Sequence, residues 1–157
     1  MIPAEESELS RRIRSATVNE LIVAALLTGA AFLLVEVRFE HREVLGETWV
    51  AWLPLAAAAL LLGVGAVALP FWRRGGRRVL AALFGLAFAV GTVGLWFHSD
   101  GHLFAHVAKV LSAWALRPGQ NGGAPVGSAP PALAPAAFCG LGLLGLIACL
   151  TPRRDGA

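Results

Sequence analysis

Residues 49–72 read WVAWLPLAAAALLLGVGAVALPFW, a run without a single charge. RRGGRR follows at 73–78, and VLAALFGLAFAVGTVGLWF, again uncharged, at 79–97. A helix rises about 1.5 Å per residue and the hydrocarbon core of a bilayer is about 30 Å thick, so about 20 apolar residues cross it. Each of these runs is long enough, and the arginine block between them suits a loop in water. Lipid offers no partner to a bare N–H or C=O, so both runs must be helical.

Working outward, two more segments qualify. One spans about residues 18–37, although its uncharged centre, Leu21 to Val35, is shorter than the rest. The other spans about 132–150. The expected architecture is therefore an all-α integral membrane protein, a single domain over residues 1–157, with four transmembrane helices in an antiparallel four-helix bundle. Composition agrees. Of 157 residues, 57% are hydrophobic and 15% charged, against about 45–50% and about 25% in soluble domains. A soluble enzyme, a disordered tail and a disulfide scaffold are excluded.

Charge orients the bundle. Arg11, Arg12, Arg14, Arg73, Arg74, Arg77, Arg78, Arg153 and Arg154 occupy the N-terminal stretch, the 72–78 loop and the C-terminal tail. The two other loops hold Arg38, Arg42, Lys109 and Arg117. Basic residues favour the cytoplasmic side, which predicts both termini cytoplasmic, in a membrane such as the bacterial inner (cytoplasmic) membrane. Trp49, Trp52 and Trp96 then fall near the outer boundary and Trp72 near the inner one, as aromatic belts do. The net charge of +3 is topogenic. No aromatic platform is interleaved with the arginines, so nucleic acid is not an expected partner.

Ser10-Arg11-Arg12 resembles part of a twin-arginine signal, but Arg14 stands where a large apolar residue belongs and no small-x-small cleavage site follows. The first span is expected to be retained, preceded by a short interfacial helix over residues 4–16. Small residues recur every four positions at Ala81, Gly85 and Ala89, and at Ala136 and Gly140. That spacing lets helix backbones approach closely, inside the bundle or, in the alternative reading, in a homo-oligomer.

The outer face carries the chemistry. Glu36, Glu40, Glu43 and Glu47 are spaced 4, 3, 4. On a helix they fall within about 60° of one another, so the first helix is expected to project beyond the lipid with a carboxylate stripe. His98-Ser99-Asp100-Gly101-His102 contains an Asp-Gly turn signal. Residues 102–116 place Leu103, Val107, Val110, Leu111 and Trp114 on one face and His102, His106 and Lys109 on another, the pattern of an amphipathic surface helix. Residues 118–131, mostly Gly, Pro, Ala and Ser, read as a flexible tether.

All four histidines (His41, His98, His102, His106) thus collect on one side with five acids. Imidazole with carboxylate suits Zn, Cu(II), Fe or Mn. The candidate metal ligands are Glu36, Glu40, His41, His98, Asp100, His102 and His106, with His98, His102 and Glu36 foremost. Haem is not expected: there is no CxxCH, and His41 and His98, which could meet near the outer boundary, do not lie within spans. Cys139 and Cys149 are about 15 Å apart along one helix, too far to pair. Two functions lead, ahead of a proton or ion carrier that would use Glu36. One is metal handling or a metal-dependent reaction on a histidine-rich outer face. The other is a non-catalytic accessory subunit that docks onto a larger membrane complex, the same residues being merely solvated or in partner contact. No nucleotide loop, nucleophile elbow or zincin motif occurs, so catalytic residues are not assigned.

Overall fold

The computed structural model describes residues 16–99, 101–102, 104–105, 108 and 133–151. Four helices form it: α1 (Val18–Glu40), α2 (Trp52–Ala68), α3 (Gly76–His98) and α4 (Leu133–Leu150). Short 3-10 turns at Trp49–Ala51 and Leu69–Arg74 extend α2 at both ends. Three stretches, Val18–Phe39, Trp49–Arg74 and Gly76–His98, are long and apolar enough to cross a membrane, and Pro135–Leu150 is a shorter apolar helix. No strand occurs among the described residues.

Each helix starts or stops for a local reason. At the start of α1, Thr17 and Glu20 form a capping box. The Thr17 N–H donates to Glu20 Oε2 at 2.6 Å, and the Glu20 N–H donates to Thr17 Oγ1 at 3.3 Å, which satisfies two otherwise orphaned donors. Pro70 follows the end of α2 inside the 3-10 turn, where its missing N–H ends the α pattern. The expected 72–78 loop is nearly absent. Gly75 alone reverses the chain, with φ of 101°, a conformation that costs glycine nothing. Arg77 and Arg78 consequently lie in the first turn of α3.

The core is one stripe from each helix. Val23, Leu27, Ala30, Leu33 and Val37 of α1 meet Leu55, Ala58 and Leu61 of α2, Leu80, Phe84 and Ala87 of α3, and Phe138, Leu141 and Ala148 of α4. Spacings of three, four and seven put each set on a single helical face. The remaining faces are apolar too: Phe32 is 73% exposed, Val67 67% and Leu150 63%. Water would penalise that surface and lipid does not. Thr28 and Thr92 donate their hydroxyls to the carbonyls of Ala24 and Phe88, so neither presents an unpaired group outward.

The helices pack in a closed ring, each against the next and α1 against α4, with the α3–α4 seam the most extensive. These two run in opposite directions, since Gly91 meets Pro135 and Cys139 while Arg77 reaches the carbonyl of Cys149. The seam departs from the small-residue spacing expected of it. Ala136 and Gly140 face outward, and nothing lies within 4 Å of a Cβ built on Gly140. Gly142 and Gly145 make the close approach instead, against the α3 backbone at Phe84 and Phe88 and against the Phe84 ring. The ring of Phe84 sets the register, since it needs the one α4 face that carries no side chain at 145.

Candidate functional site

The expected projection of α1 through Glu47 is not regular helix. The α pattern ends at Glu40, and residues 41–47 form successive turns. Val44 and Gly46 are poor helix formers, and beyond the apolar run water competes for the backbone. Two side chains fix the new path. His41 Nδ1 lies 3.1 Å from the Val37 carbonyl oxygen. Trp52 donates its indole N–H to the Leu45 carbonyl at 2.9 Å, tying the turns to the start of α2. Glu36 stays on an outward face of α1, and Glu43 and Glu47 are exposed on the turns. Glu43 meets Arg42 at 3.6 Å on the surface, a contact of little energetic weight. Trp52→Phe removes the indole donor and is expected to speed hydrogen exchange of the Glu47 and Thr48 amides about fivefold, the worth of about 1 kcal/mol; unchanged exchange would mean the turns hold without it.

At the neighbouring end of α3 the turn signal acts as expected. Gly101 takes φ of 78°, and its N–H donates to the Trp96 carbonyl at 3.2 Å, the long bond of a Schellman close. Ser99, buried, donates its hydroxyl to Trp96 as well. The helix therefore stops at His98, and His98 and His102 lie on either side of the turn rather than on one continuous helix face. His102 is exposed. Phe104, Ala105 and Ala108 are helical and exposed; the rest of the expected 102–116 surface helix, the 118–131 tether, Asp100 and His106 lie outside the described residues, as do residues 4–15.

Two of the sequence-derived residues come together. His41 and His98 line the same cavity of about 580 Å³, between the ends of α1, α2, α3 and α4. Its other walls are almost wholly apolar, including Val37, Leu53, Phe97 and Phe138, with Pro54 and Pro135 at its edge. Gly91 and Gly94, also on its lining, let α3 approach α4 closely at Pro135 and Cys139. A carbonyl oxygen only accepts, so the Nδ1 of neutral His41 carries the proton and Nε2 keeps its lone pair. Glu36 does not line the cavity. Among the described residues no three His, Cys, Asp or Glu side chains converge as a metal cage. The proline pair and Thr48, also on the cavity wall, were not signalled by any motif; only tertiary packing brings them to the histidines.

Fold and site together define a helical protein built for a membrane, with an apolar cavity bearing two imidazoles at one end. Compared with known proteins, the chain matches no family model, no curated protein and no solved structure.

Proposed function

We propose that the chain is a four-span integral membrane protein, both termini cytoplasmic, that binds a small lipid-soluble molecule with a polar head at its extracytoplasmic end. The observation that carries this reading is the shared cavity of His41 and His98. Pockets of about 300–1,000 Å³ with apolar walls and a few convergent polar groups are the usual form of small-molecule sites, and this one has that size and lining. The apolar body of the ligand lies against Val37, Leu53 and Phe138, and the imidazoles hydrogen-bond its head. The excess of arginine at the opposite end supports the orientation.

A second reading is a transition-metal site for Zn, Cu, Fe or Mn. It is favoured by the Nδ1 contact of His41 with Val37, since metal-binding imidazoles commonly donate the other ring N–H to a carbonyl. His41 and His98 would be its first ligands, completed by Asp100, His102 or His106.

One preparation separates the two. Detergent-purified protein is extracted with organic solvent for mass spectrometry, and a parallel sample goes to elemental analysis. The expected result is a stoichiometric apolar molecule that is lost from the His41→Ala, His98→Ala double variant while folding is retained. A metal lost from the same variant, and released on acidification as protons compete for imidazole, establishes the second reading instead. If neither is found, even after reloading, both fail and the accessory-subunit reading stands, to be met by co-purification of a larger complex at fixed stoichiometry.

A further inference from the structure

The opposite end of the bundle holds a larger cavity, of about 880 Å³, where the start of α1, the α2–α3 corner and the end of α4 meet. Arg73, Arg74, Arg77 and Arg78 all line it, with Trp72 at its wall, and among the described residues no carboxylate does. Among the described residues the one acid at this end is Glu20, whose carboxylate is engaged by the Thr17 N–H. The other described acids lie between Glu36 and Glu47, at the far end of α1.

Among the described residues the local electrostatics are one-sided. Two helices, α1 and α3, begin here, and each N-terminus carries a partial positive charge. The first turn of α3 contains Arg77 and Arg78 and no acid, and Gly75 supplies no side-chain cap. Acidic residues are the usual occupants of that position. Arg77 finds one compensation by donating its Nε–H to the Cys149 carbonyl at the end of α4, which anchors its guanidinium at the cavity wall. Arg73, Arg74 and Arg78 have no carboxylate partner among the described residues. Like charges concentrated beside a helix N-terminus are unfavourable until an anion joins them.

We propose that this cavity binds the phosphate group of an anionic membrane phospholipid. Guanidinium pairs bidentately with phosphate oxygens. The position favours a lipid over a free ion, since Val18, Phe71, Val79 and Leu150 are exposed on the adjoining helix surfaces and offer an apolar path to acyl chains. Trp72 sits at headgroup level, where aromatic rings concentrate, and basic pockets between transmembrane helices on the cytoplasmic side are the usual form of anionic-headgroup sites. A net negative headgroup is required, because the choline cation of a zwitterionic lipid would meet four arginines. The site is distinct from the histidine cavity and does not depend on what binds there.

The test is native mass spectrometry and thermal unfolding of the full chain in detergent, with dioleoylphosphatidylglycerol, dioleoylphosphatidylcholine or inorganic phosphate added. One phosphatidylglycerol is expected to be retained and to raise Tm, and phosphatidylcholine to do neither. Changing all four arginines to lysine keeps the charge that orients the chain but removes the guanidinium forks, and is expected to weaken phosphatidylglycerol binding about tenfold. Ala81→Leu narrows the cavity, which Ala81 lines, without altering a charge, and is expected to abolish retention while the lipid-free Tm stays within about 2 °C. Equal retention of both lipids, or binding unaffected by both variants, overturns the proposal. Stabilisation by phosphate alone, with no further gain from phosphatidylglycerol, assigns the site to a free anion and overturns the lipid.

Discussion

Gly142→Leu is expected to lower Tm of the detergent-purified protein by about 6–12 °C, a loss of about 3 kcal/mol. A Cβ at 142 would stand 2.5 Å from the Phe88 nitrogen and 2.7 Å from the Phe84 carbonyl oxygen. Both are backbone atoms of α3, which cannot rotate away as a side chain would, so the whole α3–α4 seam must part. Gly140→Leu is the matched control. It adds the same side chain to the same helix, in open space, and Tm is expected to move by less than about 2 °C. Any intrinsic gain from replacing a helical glycine appears in both variants and cancels in the comparison. Equal shifts in the two would mean that α4 is not seated on α3 in this register.

The second large effect is all-or-none. An enzyme reporter active only in the cytoplasm, fused after Ala157, is expected to be active, and one active only outside is expected to work when inserted at Gly122. Two signals from the same side would mean that α4 does not cross the bilayer, which its shorter apolar length, Pro135–Leu150, makes the decisive point of the four-span reading. Tilt and local thinning of the bilayer accommodate a short span at modest cost.

Where the helices lie was legible in the sequence because membrane burial is read from length and polarity alone. Val18–Glu40, the 49–74 stretch, Gly76–His98 and Leu133–Leu150 fall close to runs that hydropathy marks out. Helix ends were less legible. The continuation of α1 to Glu47 rested on acid spacing, yet three or four residues of turn preserve the same spacing locally. Hydropathy also passes over Thr17-Val18-Asn19-Glu20, whose capping box is nonetheless written in the sequence. The α4 side of the seam was misplaced because α4 carries many small residues and spacing of four occurs by chance among them, whereas on α3 Ala81 packs against the core and Gly85 faces Leu146. The better signal was the run Phe138, Leu141, Gly142, Gly145, Ala148, Cys149, in which buried size and spacing alternate as in a packed helix face. At the candidate site, that His41, His98 and His102 lie at one end of the bundle could be reasoned out from where the spans stop. That His41 and His98 share a cavity while Glu36 turns away depends on the rotation of α1, which Val23 to Val37 fix through packing.

The most extensive seam joins the two helices that are furthest apart along the chain among neighbours from α2 onward: 34 residues separate His98 from Leu133, whereas Gly75 alone joins the 3-10 turn to α3. During synthesis α1, α2 and α3 are available to one another first, through short connections, and α4 arrives last. A long connection adds little to the cost of that final step, since each doubling of a loop adds only about 0.6 kcal/mol. Its docking closes the ring. It also supplies Pro135 and Phe138 to the histidine cavity and Cys149, Leu150 and Thr151 to the arginine cavity. Without α4 neither cavity is complete, and a chain interrupted before residue 133 carries every arginine and histidine of the two sites without the wall that encloses them.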